Sequence, residues 1–203
     1  MVADKENTEE KILSAAKEVF VEKGKDGTRM QEIADKAGIN KSLLHYYYRN
    51  KEKLFGAVFQ FVFRQFAPKI MNVFNNEDDL FSQIEKFISL YVDMIAKNPF
   101  MPMFILNEVN KKDTSFVVKV IKMAGIDPHE YRDRVYEEIE KGTIRNIDPN
   151  QLLVNIIAMC LFPFIGRPII QIIVFEDNKE EYDKFLDSRK KEVADFIINS
   201  IKK

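Results

Sequence analysis

One cysteine, Cys160, stands alone among 203 residues. A single thiol builds neither a disulfide framework within the chain nor a thiolate metal cluster. Histidine is nearly as scarce, at two residues, and there is no HExxH, CxxC, glycine-rich phosphate loop or nucleophile elbow. The recurring catalytic motifs are therefore missing, and an enzyme is not expected. Glycine and proline number seven each. With so few turn-formers, and apolar residues repeating at helical spacing, the sequence predicts an all-α chain. Net charge is small too, −1 with a sequence pI near 6.2, so bulk charge gives no reason to expect a nucleic-acid partner. The opening MVADKENTEE is polar and acidic, without the basic and apolar regions of a signal peptide, and a cytoplasmic location is expected. There is no internal repeat or low-complexity segment. A chain of this length buries a sizeable core, as one domain or two small ones.

What the chain does have is concentrated in residues 28–55, TRMQEIADKAGINKSLLHYYYRNKEKLF. Thr28 with Gln31 three residues on reads as a capping box opening a short helix. Ile33, Ala34 and Ala37 share one face of that helix, and Gly38 suits the tight turn after it. Asn40 is placed to cap a second helix with Leu44 and Tyr47 on its inner side. Counted from Met30, apolar residues take places 4, 8, 10, 15 and 18, alanine place 5 and glycine place 9. That is helix-turn-helix spacing, with a small residue where two helices cross closely. The local charge agrees. Lys36, Lys41, Arg49, Lys51, Lys53 and Arg64 face only Glu52 among residues 36–64, an excess of five positive charges.

GINKSLLHYYYRNKEKLF closely resembles the GVSKGTLYHYFKSKEELF segment typical of TetR/AcrR-family transcriptional regulators, and TEEKILSAAKEVFVEKG resembles that family's first helix. The resemblance covers about the first quarter of the chain. It implies an N-terminal three-helix DNA-binding domain at 1–50 and a larger helical effector-binding and dimerisation domain at 51–203, about nine helices, the linking helix starting at 51. It further implies a ligand-responsive repressor that binds a palindromic operator as a homodimer through its two C-terminal helices.

The rest of the chain reads as helices. Asn7 or Thr8 caps the first, with Ile12, Leu13, Ala16, Val19 and Phe20 on one face and Gly24 as its stop. Asn50 caps the helix from Lys51, which Pro68 should kink or interrupt. Further helices are expected at 80–95, 100–109 and 115–124. Pro128 and Pro149, each after an aspartate, mark two more starts. The run 152–175 is long enough to tempt a transmembrane reading, but Asn155, Arg167, Gln171, two prolines and a glycine interrupt it without a flanking basic cluster. Burial against a partner subunit explains it better, with Pro163, Gly166 and Pro168 breaking the helix. A last helix spans about 180–201.

In the second helix of the motif, Lys41 can donate to guanine O6 and N7 or reach a phosphate, and Ser42 is a short hydrogen-bonder beside the capping Asn40. Leu43, where the family often has threonine, suits a thymine methyl. His45 replaces a common tyrosine, as a base or phosphate contact. Tyr46 and Tyr47 match the family's aromatic pair, which bonds the phosphate backbone, whereas Tyr48 aligns with a phenylalanine and should pack. Lys51 at a helix N-terminus favours a phosphate, and Thr28 and Arg29 are placed to clamp the opposite backbone. One such helix reads few base pairs, so two are needed, on an inverted repeat in double-stranded DNA. For sensing, Phe87, Tyr91, Met94, Met103, Phe104, Asn107, Met123, Tyr131, Met159 and Phe162 are candidates to line a deformable cavity for a small apolar or amphipathic ligand. No cofactor or membrane partner is expected. The rival readings are an all-helical enzyme and a protein-interaction module. Against the first, Glu137/Glu138 and Glu180/Glu181 read as solvated helix faces, and against the second stands the basic excess beside Tyr46 and Tyr47.

Overall fold

The computed structural model describes residues 2–74, 78–109, 118, 122 and 128–203. The named helices are α1 (Val2–Gly27), α2 (Met30–Lys36), α3 (Lys41–Tyr47), α4 (Lys51–Phe74), α5 (Leu80–Lys97), α6 (Met101–Val109), α7 (Pro128–Glu140), α8 (Pro149–Ile165), α9 (Arg167–Phe175) and α10 (Lys179–Ile201). No strand occurs among the described residues, and the one β-type pairing is the isolated Ile144–Lys202 bridge. Of the expected helix at 115–124 only residues 118 and 122 are described, both helical, and Met123 lies outside the described residues.

Two compact units divide the chain. The first is Met1–Phe66 with Asn98–Val120, the second Ala67–Lys97 with Ile121–Lys203. A boundary at residue 50 was expected, and the reason for the difference is visible in the first core. Phe20 of α1 meets Phe55 of α4 edge-on at 4.7 Å, and Phe104 of α6 closes on Phe55 at 5.0 Å and on Phe59 at 4.9 Å. Such ring pairs add about 0.5–1.5 kcal/mol each beyond the area they bury. Half of α4 and the returning α6 are thus built into the same core as Ile12, Val19, Ile33, Ala34 and Leu44.

Helix ends follow their local signals, with informative exceptions. Asn40 accepts from the Leu43 amide (2.8 Å), Asn50 from Lys53 (2.9 Å) and Asn178 from Glu181 (3.2 Å), each satisfying an amide the helix leaves unpaired. Asp148 likewise caps α8, with Pro149 in its first position. By contrast α1 runs from Val2 straight through Asn7 and Thr8. Gly24, non-helical at φ +67° and ψ 176°, interrupts it as expected, and the span to Gly27 resumes beyond that kink. The capping box of α2 sits one residue later than its sequence signal. Arg29 holds the extended cap position and its amide donates to the Glu32 carboxylate at 3.0 Å. Thr28 is withdrawn into the core, 2% exposed, its hydroxyl donating to the Gly24 carbonyl at 2.6 Å. The bend at Gly24 brings that carbonyl within reach, which no count of residues along α2 reveals.

Neither proline ends its helix. Pro68 lies inside α4 and Pro163 inside α8, which stops only at Gly166. An interior proline removes one amide and orphans the carbonyl four residues before it. In α8 that carbonyl belongs to Met159, and Arg189 of α10 donates to it at 3.2 Å. The Pro163 carbonyl, in the last turn of α8, accepts from the hydroxyl of the fully buried Tyr182. The break comes after that, with α9 turned 80° from α8. No single helix among the described residues is long and apolar enough to cross a membrane. At the centre of the second unit α5 buries Ile84, Phe87, Ile88, Val92 and Ile95 and packs on α8 and α10.

Candidate nucleic-acid interface

The first unit holds α2 and α3 as a bihelical corner. Gly38, at φ +68°, turns the chain between them, a conformation disfavoured for side chains with a Cβ. Leu44 is completely buried and anchors α3 to the core. Tyr48 follows it inward, and its hydroxyl donates to Glu9 of α1 at 2.7 Å. Burial, reinforced by that carboxylate, pushes the phenol well above its usual range, so it stays a neutral donor. Tyr48 therefore packs.

With α3 anchored from one side, its other side is open. Lys41, Ser42, His45 and Tyr46 are exposed, and Leu43 and Tyr47 are half-buried. Tyr46 is 68% exposed and stands edge-on to Tyr47 at 5.6 Å, which fixes the two rings relative to each other. Asn40 is exposed, but its carbonyl oxygen is occupied by the cap. The His45 ring places Nδ1 3.3 Å from the Arg49 carbonyl, just beyond the helix end. Arg49 and Lys53 are exposed nearby, and Arg29 is exposed at the start of α2.

Two expected contacts, and one cation of the local positive excess, sit differently. The buried Thr28 hydroxyl is committed to α1, so its side chain is removed from the surface set. Lys51 donates to the Thr28 carbonyl at 3.0 Å and the Asp26 carbonyl at 3.3 Å. It ties the start of α4 to the loop before α2, a positioning role that appears only when the two loops are seen side by side. Lys36 is paired with Glu18 at 2.9 Å and Glu22 at 3.2 Å across α1. Those carboxylates raise its affinity for its proton and cancel its share of the positive excess. Glu32, beside Lys23 and the Arg29 amide, is held below the usual carboxylate range.

The ten candidate cavity residues fall in both units, and Met123 lies outside the described residues. Met103, Phe104 and Asn107 belong to the first unit, where Phe104 is core and Met103 and Asn107 are exposed. Phe162 is 56% exposed on α8. Phe87, Tyr91 and Tyr131 do come together in the second unit around Phe74, which the sequence did not single out: Phe87 lies 5.7 Å from Phe74 and 5.6 Å from Tyr91, and Tyr131 6.5 Å from Phe74. Met94 is buried and Met159 half-buried in that unit. Burial lifts the Tyr91 phenol to about 12. Two surface grooves of this unit, about 470 Å³ beside Lys69 and Lys86 and about 260 Å³ beside Asp93 and Asp187, are lined by none of the ten. No group of three or more metal-ligating side chains occurs among the described residues.

Residues 12–58 match the family described as "Bacterial regulatory proteins, tetR family". The negative transcriptional regulator of the biofilm operon icaADBC, IcaR of Staphylococcus epidermidis, is 26% identical over 126 residues, 56% of this chain and 67% of that protein. The transcriptional regulator RutR of Escherichia coli is 35% identical over 89 residues, 43% of this chain and 41% of RutR, so the match spans less than half of that relative. Among solved structures, HlyIIR, a hemolysin II transcriptional regulator, shares the fold with a TM-score of 0.61 and 23% identity, over 98% of each chain.

Proposed function

We propose, on the premise that this chain belongs to the TetR/AcrR family of DNA-binding transcriptional regulators, that it represses transcription by laying α3 in the major groove of an inverted-repeat operator. The observation that carries this reading is the two-sidedness of α3: Leu44 at 0% exposure locks one side while Lys41, Ser42 and His45 are exposed on the other, with Leu43 half-buried between. Those four read bases. Tyr46, Tyr47 and Arg29 hold phosphates, and Asn40 and Lys51 set the pose of the helices they terminate. Repression is the sense in which IcaR, a negative regulator, acts.

A single α3 contacts too few base pairs, at about 1–3 kcal/mol each, to find an operator in a genome. Two copies related by a twofold axis supply two. Support for a homodimer comes from the second unit, where Val154 and Phe162 of α8, Ile169, Ile172 and Ile173 of α9 and Phe196 of α10 are 56–73% exposed. Apolar side chains clustered on consecutive helices fit burial by a second copy. A small apolar or amphipathic effector is taken up in the second unit near Phe74, Phe87, Tyr91 and Tyr131. It relieves repression only by binding the DNA-incompetent state more tightly.

Selection of bound duplexes from a random pool, followed by titration of the winning sequence, tests the reading. The expected product is an inverted repeat. Replacing Lys41 and Tyr47 together by Ala should lower affinity by about a hundredfold or more, taking each contact near the lower end of the range of about 1–3 kcal/mol, with the dimer unchanged by sedimentation. Unchanged affinity in that variant refutes α3 as the reading helix.

A further inference from the structure

We infer that His45 reads the operator as a hydrogen-bond acceptor, selecting an amino-bearing base, adenine or cytosine, over a keto-bearing one, guanine or thymine, at one position of each half-site. The inference rests on α3 being the groove-entering helix, and it goes beyond that reading by naming the chemistry of one contact. His45 is the exposed imidazole of α3, and its Nδ1 lies 3.3 Å from the Arg49 carbonyl oxygen.

A carbonyl oxygen carries lone pairs and no proton, so it can only accept. Nδ1 must therefore hold the ring proton. In a neutral imidazole the two nitrogens have opposite roles, and the proton on one leaves the other as a bare lone pair. The bond to Arg49 thus decides the role of Nε2 across the ring. Because Arg49 lies in the short segment between α3 and α4, with the Asn50 cap immediately after it, the carbonyl that sets the tautomer is itself held by local structure.

Major-groove edges show what such an acceptor can use. Adenine N6 and cytosine N4 donate, whereas guanine O6 and N7 and thymine O4 accept. Every base pair has one amino group in that groove, so an acceptor does not separate A·T from G·C. It reports on which strand the amino group lies. The signature is unusual for a base contact: at the position facing His45, A and C are tolerated alike, and G and T are disfavoured together by about tenfold, the lower part of the range for a specific base contact. Lys41 on the same helix is donor-only and favours guanine, so the two neighbours ask for opposite chemistry.

The test compares sequences selected from a random duplex pool by the full-length protein and by its His45→Ala and His45→Lys variants, at a pH where imidazole is neutral. Wild type should show one position per half-site with the A/C-against-G/T split. His45→Ala should flatten that position alone, leaving the others as they were. His45→Lys, offering donors in place of the acceptor, should reverse the split toward G. Long-range ¹⁵N–¹H correlation on the free protein should place the His45 proton on Nδ1. If an operator is selected but the split is absent, or survives in His45→Ala, the acceptor assignment is wrong while α3 remains the reading helix. A proton found on Nε2 refutes it equally. If wild type selects no sequence, the groove-entering reading and this inference fail together.

Discussion

Arg189 of α10 donates to the Met159 carbonyl of α8 at 3.2 Å, the carbonyl that Pro163, four residues on, leaves without a helical amide. The guanidinium also lies over the Phe185 ring, 5.4 Å from its centre. An interior proline and an arginine twenty-six positions away are thus one unit. Arg189→Met should cost about 1–3 kcal/mol, the range for leaving a buried carbonyl unsatisfied. Pro163→Ala restores the amide, so Arg189→Met should cost distinctly less in that background. Chemical denaturation of the four proteins measures the coupling, and strict additivity contradicts the assignment.

Phe104 fills the space between Phe55 and Phe59, whereas Met103 beside it is exposed. Phe104→Ala should lower the stability of the first unit by about 3–5 kcal/mol, and Met103→Ala by no more than about 0.5 kcal/mol. Thermal melts read both. Equal effects would show that α6 is not part of the N-terminal core.

The charge pairing of Lys36 separates it from Arg29. In operator titrations across a salt series, Arg29→Ala, which removes a phosphate contact, should reduce the slope of log affinity against log salt by about one, whereas Lys41→Ala should chiefly relax base preference. Lys36→Ala, whose ammonium is already held by Glu18 and Glu22, should leave that slope unchanged.

Cys160 is fully buried, and burial lifts its thiol to about 12. The thiolate is the reactive form. A thiol reagent at neutral pH should therefore label almost none of the folded protein and all of it in denaturant. Fast labelling of the native chain would place Cys160 at an opening in the second unit.

Glu138, largely buried, receives a hydrogen bond from Lys141 at 2.9 Å that holds its carboxyl below the usual carboxylate range. A folded-state value below the unfolded one stabilises above the unfolded value, and the gain is lost as pH falls through the folded one. Glu138→Gln should therefore destabilise at neutral pH, and the gap from wild type should close in acid below about 4.5. A gap that widens in acid reverses the sign and rejects the pairing.

Much of this was legible in the sequence because the signals are local. Asn40, Asn50 and Pro149 sit beside the amides they cap or the helix they open, and Gly38 occupies the turn that needs it. Leu44 and Tyr47 were expected on the inner side of α3 and Tyr48 was expected to pack; Leu44 and Tyr48 are buried and Tyr47 is half-buried. The misreadings share one feature. Thr28 looked like a cap because its carbonyl partner at Gly24 lies on the previous helix, and Lys36 looked free because Glu18 and Glu22 do too. Pro163 looked like a stop because Arg189 is far along the chain.

The order and type of the helices, the bihelical corner and the residues on the outer side of α3 were determined by the sequence alone, since spacing along a helix dictates which side chains share a face. Tertiary structure alone decided that α6 returns to the N-terminal core, that Thr28 is buried, that Lys36 is paired with Glu18 and Glu22, and that Lys51 serves as a tie between loops. Each of those depends on groups brought together by packing, and no local preference records which distant partner arrives.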